Sequence, residues 1–208
     1  MIPTVAEPAP DLVVAAALRL EARALRRGAP GLQVLRAGMG PERARRAAEE
    51  LADSLAGRLA VAGVCGGLDA SQPAGEVLVA SEVRVEGAAA FPCEHEALAA
   101  ALEARGIEPR VGPILSVDHV VRGESREALR RTGALAVDME SAWLARAAAG
   151  RPFAVLRVVL DAPGREIARP GIARDTFRAL RSLSLAAPAL LDWAAAPLSR
   201  STDPVKPS

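Results

Sequence analysis

Short, continuous runs of apolar residues alternate along the chain with segments of helical periodicity, and this alternation most constrains the fold. The run at residues 12–18 reads LVVAAAL, a length and Val content typical of a strand buried on both faces of a sheet. Further strands are predicted at residues 32–37, 59–64, 75–85, 111–121, 135–137 and 153–160. Helices are predicted at residues 19–27, 42–56, 91–105, 140–149 and, with an interruption at Pro188, 172–196. This alternation predicts an α/β layer fold with a largely parallel sheet.

Composition and charge narrow the class of protein. The chain has 208 residues, 50% of them apolar, which is enough for one domain with a sizeable core. Its 26 basic and 25 acidic residues nearly cancel, which argues against a nucleic-acid partner. No apolar run approaches the roughly 18 residues of a membrane span, and two cysteines fit a reducing cytoplasm. We expect residues 1–198 to form the domain and residues 199–208 to form a flexible tail.

Three carboxylates lie just beyond predicted strands, at the edge of the sheet where α/β proteins bind ligands. Asp161 directly follows the last strand, where burial would favour its protonated form and suit it to general acid catalysis. Glu140 lies at a predicted helix start, from which it could accept hydrogen bonds from ligand hydroxyls. Glu21 lies one turn into the first helix. Each carboxylate also has a purely structural interpretation. Asp161 could be a turn residue, and Glu140 could be a first-turn acid in a helix that Asp138 caps. Glu21 could belong to a solvated helix face.

Arg157 and a glycine-rich segment are the other features that could serve a site. Arg157 interrupts the apolar run FAVLRVVL, so it either pairs with a site carboxylate such as Glu140 or faces outward from a half-exposed strand. Residues 63–67 read GVCGG, and glycines in a loop after a strand let a ligand approach the backbone. Cys65 is interpreted there as a space-filler. The missing G-x-G-x-x-G motif disfavours a dinucleotide-dependent oxidoreductase, and the histidines lack the spacing of zinc ligands.

Several of these segments, in family order, resemble the purine nucleoside phosphorylase and nucleosidase superfamily. The resemblance is carried by LVVAAALRLEARAL, AGMGPERAR, AGVCGGLD, GEVLVASEV, AVDMES and LRVVLD. Within the superfamily the chain most resembles 5′-methylthioadenosine/S-adenosylhomocysteine nucleosidases and hopanoid-associated phosphorylases, and the resemblance is closest to the hopanoid-associated branch. The pairing of ALAVDMES with PFAVLRVVLD is similar to the hopanoid-associated branch, which removes adenine from adenosylhopane. The resemblance implies a three-layer α/β/α fold with a central mixed sheet, a cytoplasmic location, and no metal or other cofactor.

The resemblance also implies roles for individual residues. Asp161 matches the acid that protonates the departing purine, and Glu21 falls at the position of the base that activates water. Met139 and Glu140 match a ribose-binding pair. The ribose and base are then expected to lie against the backbone of Val64, Cys65, Gly66, Val120 and Val121. The implied partner is a small-molecule nucleoside, bound by a homo-oligomer, a dimer, without nucleic acid.

The reaction implied is cleavage of the N-glycosidic bond of an adenosine-type nucleoside, with release of adenine. Two alternatives stay open: a phosphate-dependent phosphorylase, in which Arg19 or Arg23 contacts phosphate, and a nucleoside-binding protein of the same fold without turnover. The strand before Cys65 lacks the Arg and the Ser or Thr with which phosphorylases hold phosphate, which favours water as the nucleophile. Residues 91–93 and 162–164 are expected to form an apolar wall for the 5′ substituent.

Overall fold

A computed structural model describes residues 11–165 and 170–197, in which helices pack on both faces of one sheet. The strands are β1 (Leu12–Ala16), β2 (Gln33–Arg36), β3 (Arg58–Gly67), β4 (Val77–Val85), β5 (Phe91–Pro92), β6 (Arg110–Ser116), β7 (Ala136–Asp138) and β8 (Phe153–Asp161). The helices are α1 (Arg19–Gly28), α2 (Pro41–Ala52), α3 (His95–Glu103), α4 (Glu124–Arg130), α5 (Ser141–Ala145) and α6 (Ile172–Ala195). A 3₁₀ turn at Arg146–Ala148 extends α5. The predicted tail at residues 199–208 lies outside the described residues.

The sheet is mixed, and part of it closes into a ring. β1 lies between β2 and β3 and is parallel to both. On its other edge β3 runs parallel to β8, while its last residues pair with the antiparallel β7. β8 also pairs antiparallel with β4, and β6 joins β4 to β7 by parallel pairing. The ring places Gly66 of β3 beside Asp161 on one edge and Val137 on the other.

Two hydrophobic cores fill the space between the sheet and its helices. Leu156 of β8 packs with Trp193 in the core beneath α1, α3 and α6. Its neighbour Val155 packs with Trp143 in the core beneath α2 and α5. Because successive side chains of a strand point to opposite faces, apolar residues at both positions show a strand buried on both sides. The predicted fold class is confirmed: helices cover both faces of a central mixed sheet.

Three local predictions are wrong. Residues 63–67 do not form a loop, because β3 continues to Gly67 and its pairing with β7 and β8 holds the glycines extended. The helix predicted at residues 91–105 begins only at His95, since Phe91 and Pro92 pair with β4. Pro188 does not interrupt α6. None of the helices described in residues 11–165 and 170–197 is long and apolar enough to cross a membrane.

The passage of α6 through Pro188 coincides with a close helix crossing. Pro188 has no N–H, so the carbonyl of Ser184, one turn earlier, lacks its usual helical partner. α1 ends against this carbonyl at Gly28, where an added Cβ would lie only 1.8 Å from the Ser184 oxygen. The absent side chain of Gly28 therefore sets how closely α1 approaches α6.

We predict that Gly28→Ala lowers the free energy of unfolding by about 1–3 kcal/mol, because the new methyl group must push α1 away from α6. Urea unfolding followed by circular dichroism measures the change. Gly31→Ala is the matched control, since no atom lies within 4 Å of the Cβ position at Gly31. That variant should be neutral or gain up to about 1 kcal/mol. Equal stabilities of the two variants would contradict the close crossing.

Candidate active site

One cavity of about 210 Å³ lies where the carboxyl ends of β1, β3, β7 and β8 meet. Its wall includes all of the residues that the sequence analysis predicts to be catalytic or to contact the ribose and base: Glu21, Val64, Cys65, Gly66, Val120, Val121, Met139, Glu140 and Asp161. The accessible wall is mostly apolar. Leu18, Met39 and Val120 belong to it and are also exposed to solvent. Residues predicted from separate segments are thus brought together at one place, while their chemical roles stay predictions.

Main-chain amides hold the Glu21 carboxylate at the start of α1. Its Oε2 accepts a hydrogen bond from the Leu18 amide at 2.7 Å, as the acid of a capping box does. Its Oε1 accepts one from the Val64 amide of β3 at 2.8 Å. Burial raises the pKa of Glu21, while the Val64 hydrogen bond and the charge of Arg157 oppose this rise. Glu21 is only 2% exposed, so its side chain does not belong to a solvated face.

Arg157 is buried, and carboxylates surround it. Its Nη2 lies 2.8 Å from Asp138 Oδ2 and 3.7 Å from Glu140 Oε2. The same nitrogen donates to Ser141 Oγ at 2.8 Å. Burial, the largest single effect, disfavours the charge of Arg157, but the negative charges of Asp138, Glu140 and Glu21 act together against it and the pKa of Arg157 is raised. Of the two interpretations of Arg157, the buried ion pair is correct, with Asp138 as the nearer partner.

Glu140 lies just before α5 and lines the cavity. Its Oε1 accepts a hydrogen bond from the Gly40 amide at 3.0 Å, and its Oε2 accepts one from the Met139 amide at 3.3 Å. Burial raises the pKa of Glu140 to about 7, although the positive charge of Arg157 lowers it. Asp138 caps the same helix by accepting from the amides of Glu140 and Ser141, each at 3.2 Å.

The cluster around Arg157 has more acids than bases. Glu21, Asp138 and Glu140 act on the pKa of one buried guanidinium, so full ionisation would leave uncompensated negative charge inside the protein. The raised pKa values of Glu21 and Glu140 mean that the cluster retains protons to higher pH than free carboxylic acids would. Groups that gain and lose protons near neutral pH are those that acid–base catalysis requires.

Asp161, the last residue of β8, pairs with an arginine that sequence reasoning missed. Arg126 Nη2 lies 2.5 Å from Asp161 Oδ2, and both side chains are 3% exposed. The guanidinium also donates to the carbonyls of Val121 and Gly67, each at 3.1 Å. Arg126 lies in α4, a seven-residue helix that was not predicted, because ESREALR offers too short an apolar pattern. Nothing in that pattern distinguishes it from a surface arginine.

The glycines of β3 make room for the protein's own charged side chains. A Cβ on Gly63 would lie 2.7 Å from Glu21 Oε1 and 2.9 Å from Arg157 Nη1. A Cβ on Gly66 would lie 3.0 Å from Arg126 Nη2. The close approach expected between these glycines and a ligand is therefore an approach to buried ionic groups.

Two main-chain groups expected to frame the ligand already have protein partners. The Val64 amide donates to Glu21, and the Val121 carbonyl accepts from Arg126. A carbonyl oxygen can accept a second hydrogen bond, whereas an amide has one hydrogen to give. The Val64 amide is thus a support for Glu21, and a ligand at this position meets the carboxylate.

Other residues that the sequence analysis expects near the ligand do not line the main cavity. Phe91 and Pro92 pair with β4, and Cys93 packs in the core beneath α5, so the apolar wall predicted at residues 91–93 is wrong. Ala162 lines a separate small cavity. Arg19 and Arg23 are exposed and do not line the main cavity. Within residues 11–165 and 170–197, no cluster of His, Cys, Asp and Glu could hold a metal ion.

A family model described as the phosphorylase superfamily matches residues 28–187. The chain belongs to the phosphorylase superfamily. Membership and fold together confirm the predicted enzyme class, that of nucleosidases and nucleoside phosphorylases. The sequence shows no significant match to a curated protein.

Solved structures of nucleoside-processing enzymes share the fold of this superfamily member. A mutant 5′-methylthioadenosine/S-adenosylhomocysteine nucleosidase of Helicobacter pylori, with 5′-methylthioadenosine in its active site, matches with a TM-score of 0.75 and 18% identity over 87% of this chain and 97% of that one. An S-adenosylhomocysteine nucleosidase of Streptococcus pyogenes matches with a TM-score of 0.73 and 20% identity over 93% of this chain and 100% of that one. A futalosine hydrolase mutant of Helicobacter pylori matches with a TM-score of 0.74 and 19% identity over 87% of this chain and 98% of that one.

The raised pKa of Glu140 predicts a pH-dependent stability difference. Because the pKa of Glu140 is about 7 in the folded chain against an ordinary value of 4.5, the native state keeps a proton that the unfolded chain loses between these values. Stability contributed by this proton is present at pH 4 and is lost as the pH rises to about 8. Relative to Glu140→Gln, the wild type should therefore lose on the order of 1–3 kcal/mol between pH 5 and pH 8. Urea unfolding at both values measures this.

The control for this measurement is Glu103→Gln, in the last turn of α3. Glu103 is exposed, and its substitution should leave the difference between the two pH values unchanged. A Glu140→Gln variant whose stability follows that of the wild type from pH 5 to pH 8 would show that Glu140 does not hold the proton.

Proposed function

We propose that the protein hydrolyses the N-glycosidic bond of an adenosine-type nucleoside that bears an apolar 5′ substituent, and releases adenine. The observation that carries the proposal is the meeting of Glu21, Glu140 and Asp161 in one buried, mostly apolar cavity. Each follows or ends a different strand, so the fold itself delivers them to the same edge. Similar folds in nucleosidases and in a futalosine hydrolase support the choice of substrate class.

Asp161 is the proposed general acid. As the bond between C1′ and the purine breaks, its electron pair moves into the base, and the imidazole nitrogen of the purine takes the proton of Asp161. The base then leaves as neutral adenine and Asp161 is left as a carboxylate. Arg126, at 2.5 Å, lies close enough to stabilise that negative charge.

Glu140 and Met139 are the proposed ribose-binding pair. The Glu140 carboxylate already holds the amides of Gly40 and Met139, and its remaining lone pairs can accept hydrogen bonds from ribose hydroxyls. Met139 lines the same cavity and offers an apolar surface to the sugar. Fixing the ribose in this way brings C1′ into line with the nucleophile and the acid.

Glu21 is the proposed base for the attacking water. Its carboxylate takes one proton from water as the water oxygen bonds to C1′, which completes the exchange: a free base and a ribose with a C1′ hydroxyl. The hydrogen bonds from Leu18 and Val64 leave the carboxylate one orientation relative to the cavity. A base fixed in this way can hold the attacking water in line with C1′, so that water, base and substrate react as one preassembled complex.

Charge favours water over phosphate as the nucleophile. A phosphate entering the cavity would meet Glu21, Asp138 and Glu140, whereas the buried arginines Arg157 and Arg126 already contact carboxylates. Among the described residues that line the cavity, no arginine or lysine is free of a carboxylate contact, so a dianion placed against these acids would be desolvated without a cation from this wall, which is unfavourable. Phosphorolysis is therefore the second candidate, favoured only by the family's phosphorylase members.

The proposed 5′ substituent is apolar and extends out of the cavity. Leu18, Met39 and Val120 line the cavity and remain exposed, so they offer an apolar surface between the ribose site and solvent. Such a surface suits the long hydrocarbon of the hopanoid-associated branch better than a charged group. We further expect the enzyme to act in the cytoplasm as a homodimer.

The central test is release of free base from methylthioadenosine, adenosine and inosine, with and without added phosphate. We expect adenine from the first two, a ribose product by mass spectrometry, and no dependence on phosphate. Asp161→Asn and Glu21→Gln should each lower kcat by about 10²–10⁴-fold while thermal unfolding stays cooperative. Asp192→Asn, which removes an exposed ion pair with Arg105, should keep wild-type turnover. A phosphorylated ribose formed only with phosphate would establish the phosphorylase, and binding without base release the non-catalytic alternative.

A series of 5′-alkylthio adenosines tests the apolar substituent. Each added methylene buried against Leu18, Met39 and Val120 should contribute roughly 0.8 kcal/mol at most, so affinity should rise up to about fourfold per carbon. Inhibition constants or calorimetry with a non-hydrolysable series measure this. Met39→Ser should flatten the dependence, whereas Leu55→Ser, at an exposed position outside the cavity, should leave it unchanged. Tighter binding of adenosine monophosphate than of methylthioadenosine would contradict the proposed pocket.

A further inference from the structure

We propose that Arg126 is a positioning residue that acts through Asp161: it holds the Asp161 carboxylate ionised in the empty enzyme and stabilises it again after proton donation. The inference rests on the proposed function, because it assigns Asp161 the acid's role. Arg126 lies in α4, and the sequence around it contains no recognisable motif. The grounds for the inference are the burial of the pair, the anchoring of the guanidinium and the surroundings of Asp161.

The burial of the pair is the first ground. Arg126 and Asp161 meet at 2.5 Å with side chains 3% exposed, in the wall of the cavity. A buried ion pair must offset the desolvation of both charges, and apolar residues of similar volume often serve stability equally well. A buried pair in a ligand cavity is therefore better explained by its effect on the site.

The anchoring of the guanidinium is the second ground. Its Nε and Nη1 donate to the carbonyls of Val121 and Gly67, so two parts of the chain fix its plane independently of Asp161. Gly66 leaves space on β3 at this point, since a Cβ there would lie 3.0 Å from Arg126 Nη2 and 3.3 Å from Asp161 Oδ1. Arg126 can thus hold one position while Asp161 gains or loses its proton.

The other charged and titratable groups near Asp161 come from several elements. Cys65 of β3 is buried, and burial raises the pKa of its thiol, which therefore stays neutral. Arg165 and Asp175 share a small neighbouring cavity with Asp161, and the Arg165 guanidinium donates to the carbonyls of Ala70 and Gln72. His119 and Glu140 line the main cavity. Arg126 contacts the Asp161 carboxylate directly at 2.5 Å, so we assign to Arg126 an influence on the charge of Asp161.

For the reaction, Arg126 has opposite effects on the protonated and the ionised forms of Asp161. A neighbouring cation favours the carboxylate and so reduces the fraction of enzyme that carries the acidic proton. The same cation stabilises the carboxylate that forms when the proton passes to the purine, which makes Asp161 a stronger acid in the complex. The wild type should accordingly lose kcat/KM as the pH rises, at a lower pH than an enzyme without Arg126.

The test is the pH profile of kcat/KM for methylthioadenosine in the wild type and in Arg126→Gln. The alkaline limb of the variant should lie about 1–3 pH units higher, the range by which an adjacent opposite charge shifts a carboxyl group. Arg126→Lys, which keeps a cation, should shift the limb less. In an Asp161→Asn background, Arg126→Gln should have no further effect on the profile. A uniform loss of kcat/KM at every pH, with the limb unmoved, would overturn the proposal.

A second measurement needs no substitution of Arg126. Infrared spectra of wild type with ¹³C-labelled aspartate carboxyl groups, compared with Asp161→Asn, report whether Asp161 is protonated in the empty enzyme at pH 7. We expect no carboxylic acid band that depends on Asp161. Such a band would overturn the proposal even if Arg126→Gln does not fold. Because this readout needs no turnover, it separates a failure of this inference from a failure of the proposed function.

Discussion

The buried guanidinium of Arg157 is the interaction on which the rest of the site depends. It lies in the middle of β8, at 1% exposure, and it needs negative partners because an unpaired buried charge costs several kcal/mol. Asp138 and Glu140 approach it from the start of α5, and Glu21 acts on it from the start of α1. Removing the cation would leave these acids buried together. The positions of both helix starts relative to β8 are therefore tied to one charge.

A second ion pair, between Arg126 and Asp161, lies at the end of the same strand. The two ion pairs differ in the protonation state that they favour. Around Arg157, burial raises the pKa values of Glu21 and Glu140, and the charge of Asp138 raises that of Glu140 further, so protons are retained. At the end of β8 the Arg126 guanidinium meets the Asp161 carboxylate at 2.5 Å, which favours the ionised form of Asp161. A single cavity thus has one side that stores protons and one that favours a carboxylate.

The fold and most of the cavity residues could be predicted because the ends of buried strands can be recognised in the sequence. Asp161 and Glu140 follow apolar runs, and in a mostly parallel sheet the ends of such runs meet at one edge. Arg126 could not be predicted in this way: its short helix has no apolar periodicity, and its partner lies 35 residues away in the chain. The segment at residues 91–93 misled for a related reason, since its pairing with β4 is a tertiary contact that local propensity does not encode. GVCGG looked like a loop because glycine disfavours strands when no neighbours hold it extended.

The glycines of β3 restrict how this protein can diversify. Gly63 faces Glu21 and Arg157, and Gly66, three positions on, faces Arg126 and Asp161. At about 3.3 Å of rise per residue, the strand sets the two ionic groups roughly 10 Å apart along its length. A side chain at Gly63 would displace the Glu21 carboxylate, and one at Gly66 would press on the Arg126 guanidinium, so either substitution disturbs an ionic group of the cavity. The strand therefore fixes the spacing of the two ionic groups, whereas Leu18, Met39 and Val120 at the exposed rim of the cavity are free to change one at a time.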